Sequence, residues 1–278
     1  MLIQEFRCFG SGTGGGNPAL TVEDGPVGAD ERLALARKRG LTCVFLDPSD
    51  EPGLAACLDF VYPHARSPLC LHATLAAAQV LFERHGATAP LTVTTALRGQ
   101  RLVVSKDGLE VFVRMARQES PQVAVDAALA ARLLAAPALS LASAPRIASI
   151  GSPKLLLEVA NLQMLYGLRP DLALIYEWGK AQGVSGCFAW CRLGAGHVEG
   201  RNFNHLDPTL EDSATGVAAG ALTVALGSAL TLLQGTATGR SSVIRTRIEG
   251  SDVMVGGSVH RECKERPTVT ASQPSSFS

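Results

Sequence analysis

Two short runs carry residue types that could do acid/base chemistry. One is Glu211-Asp212-Ser213-Ala214-Thr215-Gly216-Val217, where two carboxylates stand directly before small residues. The other is Cys70-Leu71-His72-Ala73-Thr74, a thiol two residues before an imidazole. Each leads into a stretch of Ala, Leu, Val and Thr, and after Asp212 no charge occurs until Arg240. A helix apolar all round is a buried helix. Its N-terminus then opens inside the protein, with unpaired N–H groups, a carboxylate beside them and glycine where a ligand can come close. That arrangement suits an anion. A helix N-terminus also lowers the pKa of a nearby thiol, and His72 could exchange protons or orient a substrate. The plain alternatives are a polar helix cap at Asp212, a small buried hydrophobe at Cys70 and a capping role for His72.

The elements that must hold these residues follow from periodicity and punctuation. Strands are expected over 2–9, 19–22, 41–46, 59–62, 91–95, 101–105 and 109–115, with Asp107-Gly108 as a hairpin turn. A short amphipathic helix covers 28–39. A buried helix covers 72–85, and Gly86 is placed to end it. After Ser120-Pro121 the pattern starts again. A helix is expected over 123–136, strands over 146–150 and 155–159, a helix over 172–183, and strands over 187–192 and 197–203. The central helix then runs over 214–233, followed by a hairpin of 242–248 and 253–259. Gly10-Ser11-Gly12-Thr13-Gly14-Gly15-Gly16-Asn17-Pro18 looks like a dinucleotide fingerprint. It is followed by Pro18 and a second strand where a fingerprint needs a helix, so a Gly-rich hairpin or ligand-contacting loop is expected instead.

The two halves thus repeat a plan of strands, buried Ala-rich helix and closing hairpin. Setting Cys70 against Asp212 brings Ala76-Ala77 onto Ala218-Ala219. Each half then offers an ionisable group ahead of a buried helix N-terminus, and the two groups face one cleft. Two acid/base groups on opposite sides of a carbon acid are what a racemase, epimerase or proton-shifting isomerase needs. The helix N-termini would hold the substrate carboxylate and its developing charge.

Composition narrows the classes. The 278 residues suffice for two domains. With 25 basic and 25 acidic residues, and no basic patch, nucleic acid is not an expected partner. No apolar run is long enough for a membrane span, and the start does not read as a secretion signal. Seven cysteines without framework spacing read as reduced thiols of a cytoplasmic protein. Cys187 and Cys191 have no matching ligand pair, so no metal site is expected. Residues 263–278 are polar and expected to be a disordered tail.

The motifs together resemble the PhzF-like phenazine-biosynthesis isomerases, which share the diaminopimelate epimerase fold. Gly16-Asn17-Pro18-Ala19 is similar to that family's GNPA and His72-Ala73-Thr74 to its GHAT. Arg201-Asn202-Phe203 is similar to R-x-F, and Glu211-Asp212-Ser213-Ala214-Thr215-Gly216 to EDPATG. The resemblance covers about residues 1 to 260. It implies an α+β fold of two pseudo-symmetric domains, 1–118 and 119–262, each a strand barrel wrapped around a central buried helix. The implied site lies between them. Asp212, Cys70, His72 and Thr42 fall at its catalytic positions, and Asn17, Ala73, Thr74, Ser213, Thr215, Gly216 and Val217 at its substrate-binding positions. Three departures stand out. Thr42, in Leu41-Thr42-Cys43-Val44-Phe45, occupies the place of the family's catalytic glutamate, and a threonine is no general base near neutral pH. Leu71 replaces the glycine of GHAT, and Val217 the serine after EDPATG. Cys70 stands where the epimerase and proline racemase relatives carry a cysteine.

The implied function is a cofactor-independent isomerase or epimerase acting on a small carboxylate, an amino or hydroxy acid. The alternatives are a dehydratase on the same scaffold, working through Asp212 alone, and a non-catalytic small-ligand-binding homologue that has lost the glutamate. A small-molecule carboxylate is the expected partner and a homodimer the expected assembly.

Overall fold

The computed structural model describes residues 1–204 and 211–262; the expected tail lies outside them. β1 (Leu2–Cys8) and β2 (Asn17–Glu23) form an antiparallel hairpin across the Gly-rich loop. α1 (Ala29–Arg39) then crosses to β3 (Thr42–Asp47), which lies parallel to β2. β4 (Cys57–Val61) runs antiparallel to β3, and the two-residue β5 (Arg66–Ser67) folds back on β4. α2 (Leu71–His85) follows, then β6 (Leu91–Thr95) parallel to β4, and the hairpin of β7 (Arg101–Asp107) and β8 (Glu110–Ala116).

The second half repeats this order. α3 (Ala127–Leu133) leads to the antiparallel pair β9 (Arg146–Ala148) and β10 (Lys154–Glu158). α4 (Leu162–Gly167) and α5 (Leu172–Gln182) cross to β11 (Cys187–Gly194), parallel to β10. β12 (His197–Phe203) is antiparallel to β11, and the two-residue β13 (Glu211–Asp212) folds back on it. α6 (Gly216–Leu226) is followed by β14 (Leu230–Gln234), parallel to β12, then β15 (Ser242–Glu249) and β16 (Asp252–Arg261). Every parallel and antiparallel step of the first half thus recurs in the second.

The strands form two rings. β1-β2-β3-β4-β6-β7-β8-β16 closes because β16 also pairs with β1. β9-β10-β11-β12-β14-β15-β16 returns toward the end of β8, where the Gln118 amide donates to the Ser149 carbonyl at 3.0 Å. A closed or covered sheet leaves few exposed edges. Inside each ring lies one helix. Along α2, Ala73, Leu75, Ala76, Ala77 and Leu81 are fully buried, each Leu contributing about 1.5–3 kcal/mol of hydrophobic burial. In α6 the space is tighter: a methyl group on Gly220 would meet Ile150 at 2.1 Å. Gly220→Ala would therefore overpack the ring, at a cost of about 1–3 kcal/mol.

Three sequence expectations need correction. The central helix does not reach 233: it stops at Gly227, which adopts φ 66° as its C-cap, and 230–234 alternates buried and half-buried as a strand. The helix expected over 123–136 shrinks to Ala127–Leu133, because Asp126 caps it by accepting from the Leu129 N–H at 2.7 Å. The echo is also out of register. The N-caps of α2 and α6 are Cys70 and Thr215, so Cys70 matches Thr215 and Ser67 matches Asp212, three residues away from the alignment by alanines.

Candidate active site

The two buried helices point their N-termini at each other. A methyl group on Gly216, the first residue of α6, would lie 3.0 Å from the side chain of Leu71, the first residue of α2. The positive ends of both helix dipoles and their unpaired N–H groups therefore converge. A cavity of about 220 Å³ opens there, lined among others by Cys70, His72, Lys154, Asp212, Thr215 and Gly216. A second cavity of about 380 Å³ adjoins it, lined by Asn17, Thr42, Ser213 and Arg240 among others. Tyr62, His72, Asn204 and Asp212 line both. A depression of about 410 Å³ beside Gln4, Arg39 and Glu262 shares no residue with them; we place the chemistry at the helix ends, where acid/base groups meet.

The first half supplies a thiol–imidazole pair. Cys70 Sγ lies 3.3 Å from His72 Nδ1, and both side chains are buried. Burial pushes the thiol pKa up. The charge and hydrogen bond of His72, the Tyr62 hydroxyl and the Ala73 N–H outweigh it, and the thiol ends below its usual value. The Tyr62 hydroxyl, by contrast, is held well above its ordinary pKa by burial and then by Cys70 and Asp212. It stays protonated, a donor between the two.

The second half supplies a carboxylate. Asp212 Oδ1 accepts from Asn17 Nδ2 at 2.8 Å, and Oδ2 from the Thr215 hydroxyl at 2.5 Å. Burial raises its pKa. Thr215, the Ala214 N–H, Lys154 and Asn17 offset that only in part. Arg201 fixes the strand that carries it: its guanidinium grips Glu211 through two bonds of 2.9 and 2.7 Å, and donates to the Leu165 and Leu168 carbonyls. Gln234 Nε2 ties down the Asp212 carbonyl at 2.7 Å.

A family model for phenazine biosynthesis-like proteins matches residues 6–263. The chain belongs to the PhzC-PhzF family. Its fold is that of a predicted epimerase from Pseudomonas aeruginosa, at 25% identity and TM-score 0.77, with 96% of this chain and 99% of that one covered. A PhzF-family protein from Bacillus anthracis matches at 18% identity and TM-score 0.77, covering 94% and 97%. A hydroxyproline epimerase from Agrobacterium vitis, with bound trans-4-hydroxy-L-proline, matches at 12% identity and TM-score 0.53, covering 95% and 93%. Among curated proteins, none matches.

Within this PhzC-PhzF chain the sequence-derived residues divide in three. Cys70, His72, Asp212, Thr215, Gly216 and Val217 line the smaller cavity, and Thr42, Asn17 and Ser213 the larger. Ala73 and Thr74 line neither. Their side chains are fully buried, and the Thr74 hydroxyl donates back to the Cys70 carbonyl at 2.8 Å. GHAT-like residues after the imidazole thus build the helix turn, because side chains at those positions point into the ring. Tyr62 and Lys154 were missed. Tyr62 closes a strand pattern before Pro63. Lys154 precedes Leu155-Leu156-Leu157, where alternation sets it on the same face as Leu156, inside the ring; that was the available signal. Among the described residues no cluster of three or more His, Cys, Asp or Glu could hold a metal ion, and no helix is long and apolar enough to cross a membrane.

Proposed function

We propose that the chain is an isomerase or epimerase that moves a proton on a small carboxylate, an amino or hydroxy acid, in the space between the two helix N-termini. The observation that carries this reading is that one cavity is lined by the Cys70–His72 pair from one helix end and by Asp212 from the other. A thiol poised below its usual pKa is a base, and a carboxyl held above its own is an acid; each is shifted toward the task. In the sequence we infer, Cys70 thiolate takes the proton from Cα and the Asp212 carboxyl delivers one to the other face. The reverse turnover restores both groups. The reading needs no cofactor, since both proton carriers are side chains. Thr42 plays no acid/base part in it; its hydroxyl is a hydrogen-bonding group in the adjoining cavity.

The test is incubation of the protein with a panel of amino and 2-hydroxy acids in deuterated water, followed by proton NMR. An isomerase or epimerase washes out the α-proton signal of its substrate. Release of a keto acid or imine without exchange would point to the dehydratase, and saturable binding with neither outcome to a non-catalytic homologue. Either result would sink the reading.

A further inference from the structure

Lys154 is the most conspicuous group that this account leaves idle. It is 1% exposed, yet it lines the smaller cavity together with Cys70, His72 and Asp212. Among the described residues its ammonium makes one hydrogen bond, to the Ser185 carbonyl, and no carboxylate comes within ion-pair distance. Asp212 feels its charge, but both Asp212 oxygens are engaged by Asn17 and Thr215 instead. An ammonium carries three donors, so two remain for whatever enters the cavity. A buried charge without a partner is costly, and proteins keep one where an opposite charge will meet it. Burial lowers its pKa to about 8, a cost that an anion would relieve. The Thr215-Gly216 helix end lines the same space, adding unpaired N–H groups.

Building on the proton-transfer reading above, we propose that Lys154 is the residue that receives the substrate's carboxylate, and that its charge stabilises the enediolate formed when the α-proton leaves. The atoms place it well for both. The carboxylate oxygens take the negative charge as the Cα–H bond breaks, so a cation bound to them in the ground state binds more strongly in the transition state.

The experiment uses binding rather than turnover, so that its outcome is independent of the reaction. Benzoate is a planar carboxylate with no α-proton and cannot react. The chain has five lysines, so in protein labelled with [13Cε]lysine the Lys154 signal can be assigned as the one missing from Lys154→Met or displaced in Lys154→Arg. Benzoate should move that signal saturably. Lys154→Met should weaken benzoate binding about tenfold or more, while Asp212→Asn should leave it equal or tighter. A Lys154 signal that benzoate does not move, in wild-type protein, overturns the proposal; so does unchanged affinity in Lys154→Met. If benzoate does move Lys154 but no amino or hydroxy acid exchanges its proton, the carboxylate site stands and the isomerase reading falls.

Discussion

The two halves share a topology strand for strand, yet they hold their functional groups at different places on it. In the first half the reactive group is the helix N-cap itself, Cys70. In the second it is Asp212, on the short strand three residues before the N-cap Thr215. The counterparts, Ser67 and Thr215, are hydroxyl residues, and both hydrogen-bond locally: Ser67 to the Leu69 carbonyl and Thr215 to Asp212. Each short strand is also pinned to the long strand beside it by an ion pair, but with the charges exchanged. Arg66 holds Asp59 at 2.8 Å in the first half, and Arg201 holds Glu211 at 2.7 Å in the second. Two helix ends, two pins and two proton carriers are thus arranged symmetrically in backbone and asymmetrically in chemistry. A reaction that removes a proton on one face and supplies it on the other needs unlike groups in like frames.

That comparison can be broken in order of effect. Asp212→Asn should abolish turnover, a loss on the order of 10³ or more, because the amide cannot carry the proton. Circular dichroism should show an intact fold, since Asn can still hydrogen-bond to Thr215. If Cys70 is the partner on the opposite face, Cys70→Ser should cost on the order of 10² or more in kcat/KM. Retention of most activity would mean that the second half does the chemistry alone. Glu211→Gln tests the pin: it weakens the grip of Arg201 without touching the cavity, and we expect about a tenfold fall in kcat/KM, as for a misplaced catalytic group. An equal fall in the benzoate affinity would show general disorder instead.

The smallest effect concerns stability. Burial raises the pKa of Asp212 in the folded protein, so the folded state disfavours the ionised carboxylate. At pH values below the ordinary carboxylate range, folded and unfolded chains are both protonated and nothing is lost. As pH rises through the folded pKa, the charged group costs stability. Asp212→Asn removes that cost, so its Tm should exceed the wild-type value by a few degrees at pH 7.5, on the order expected for changes of about 1 kcal/mol. The difference should vanish near pH 3. A lower Tm at pH 7.5 would mean that Asn17, Thr215 and Lys154 stabilise the charge more than burial penalises it.

Much of this was readable from residue order. Asp212 and Cys70 were visible because small residues and a charge-free run after each mark a buried helix, and a buried helix must begin somewhere polar. The hairpins at Asp107-Gly108 and Glu249–Asp252 were visible because their turn residues are local signals. What stayed hidden was tertiary. The helix end at Gly227 was hidden because Leu230 to Gln234 is as apolar as a helix continuation, and the ring neighbours, not propensity, make it a strand. The three-residue register between the halves was hidden because runs of alanine align in many ways. α4 was missed, being a six-residue helix capped by Asn161 inside a long crossover. Lys154 gave no chemical signal in sequence; only the cavity around it makes the charge meaningful.

The last strand has a further consequence, for how the chain is made. β16 pairs with β15, β8 and β1, and Arg7 and Glu262 touch across a sequence separation of 255 residues. Neither ring can close until that strand has left the ribosome, so early segments must wait with their ring edges open. Contacts of such long range fold slowly, and waiting edges are where misassembly starts. A chain cut short before Asp252 would lose both rings at once rather than one. Synthesis, not the active site, is therefore where this molecule is most easily harmed.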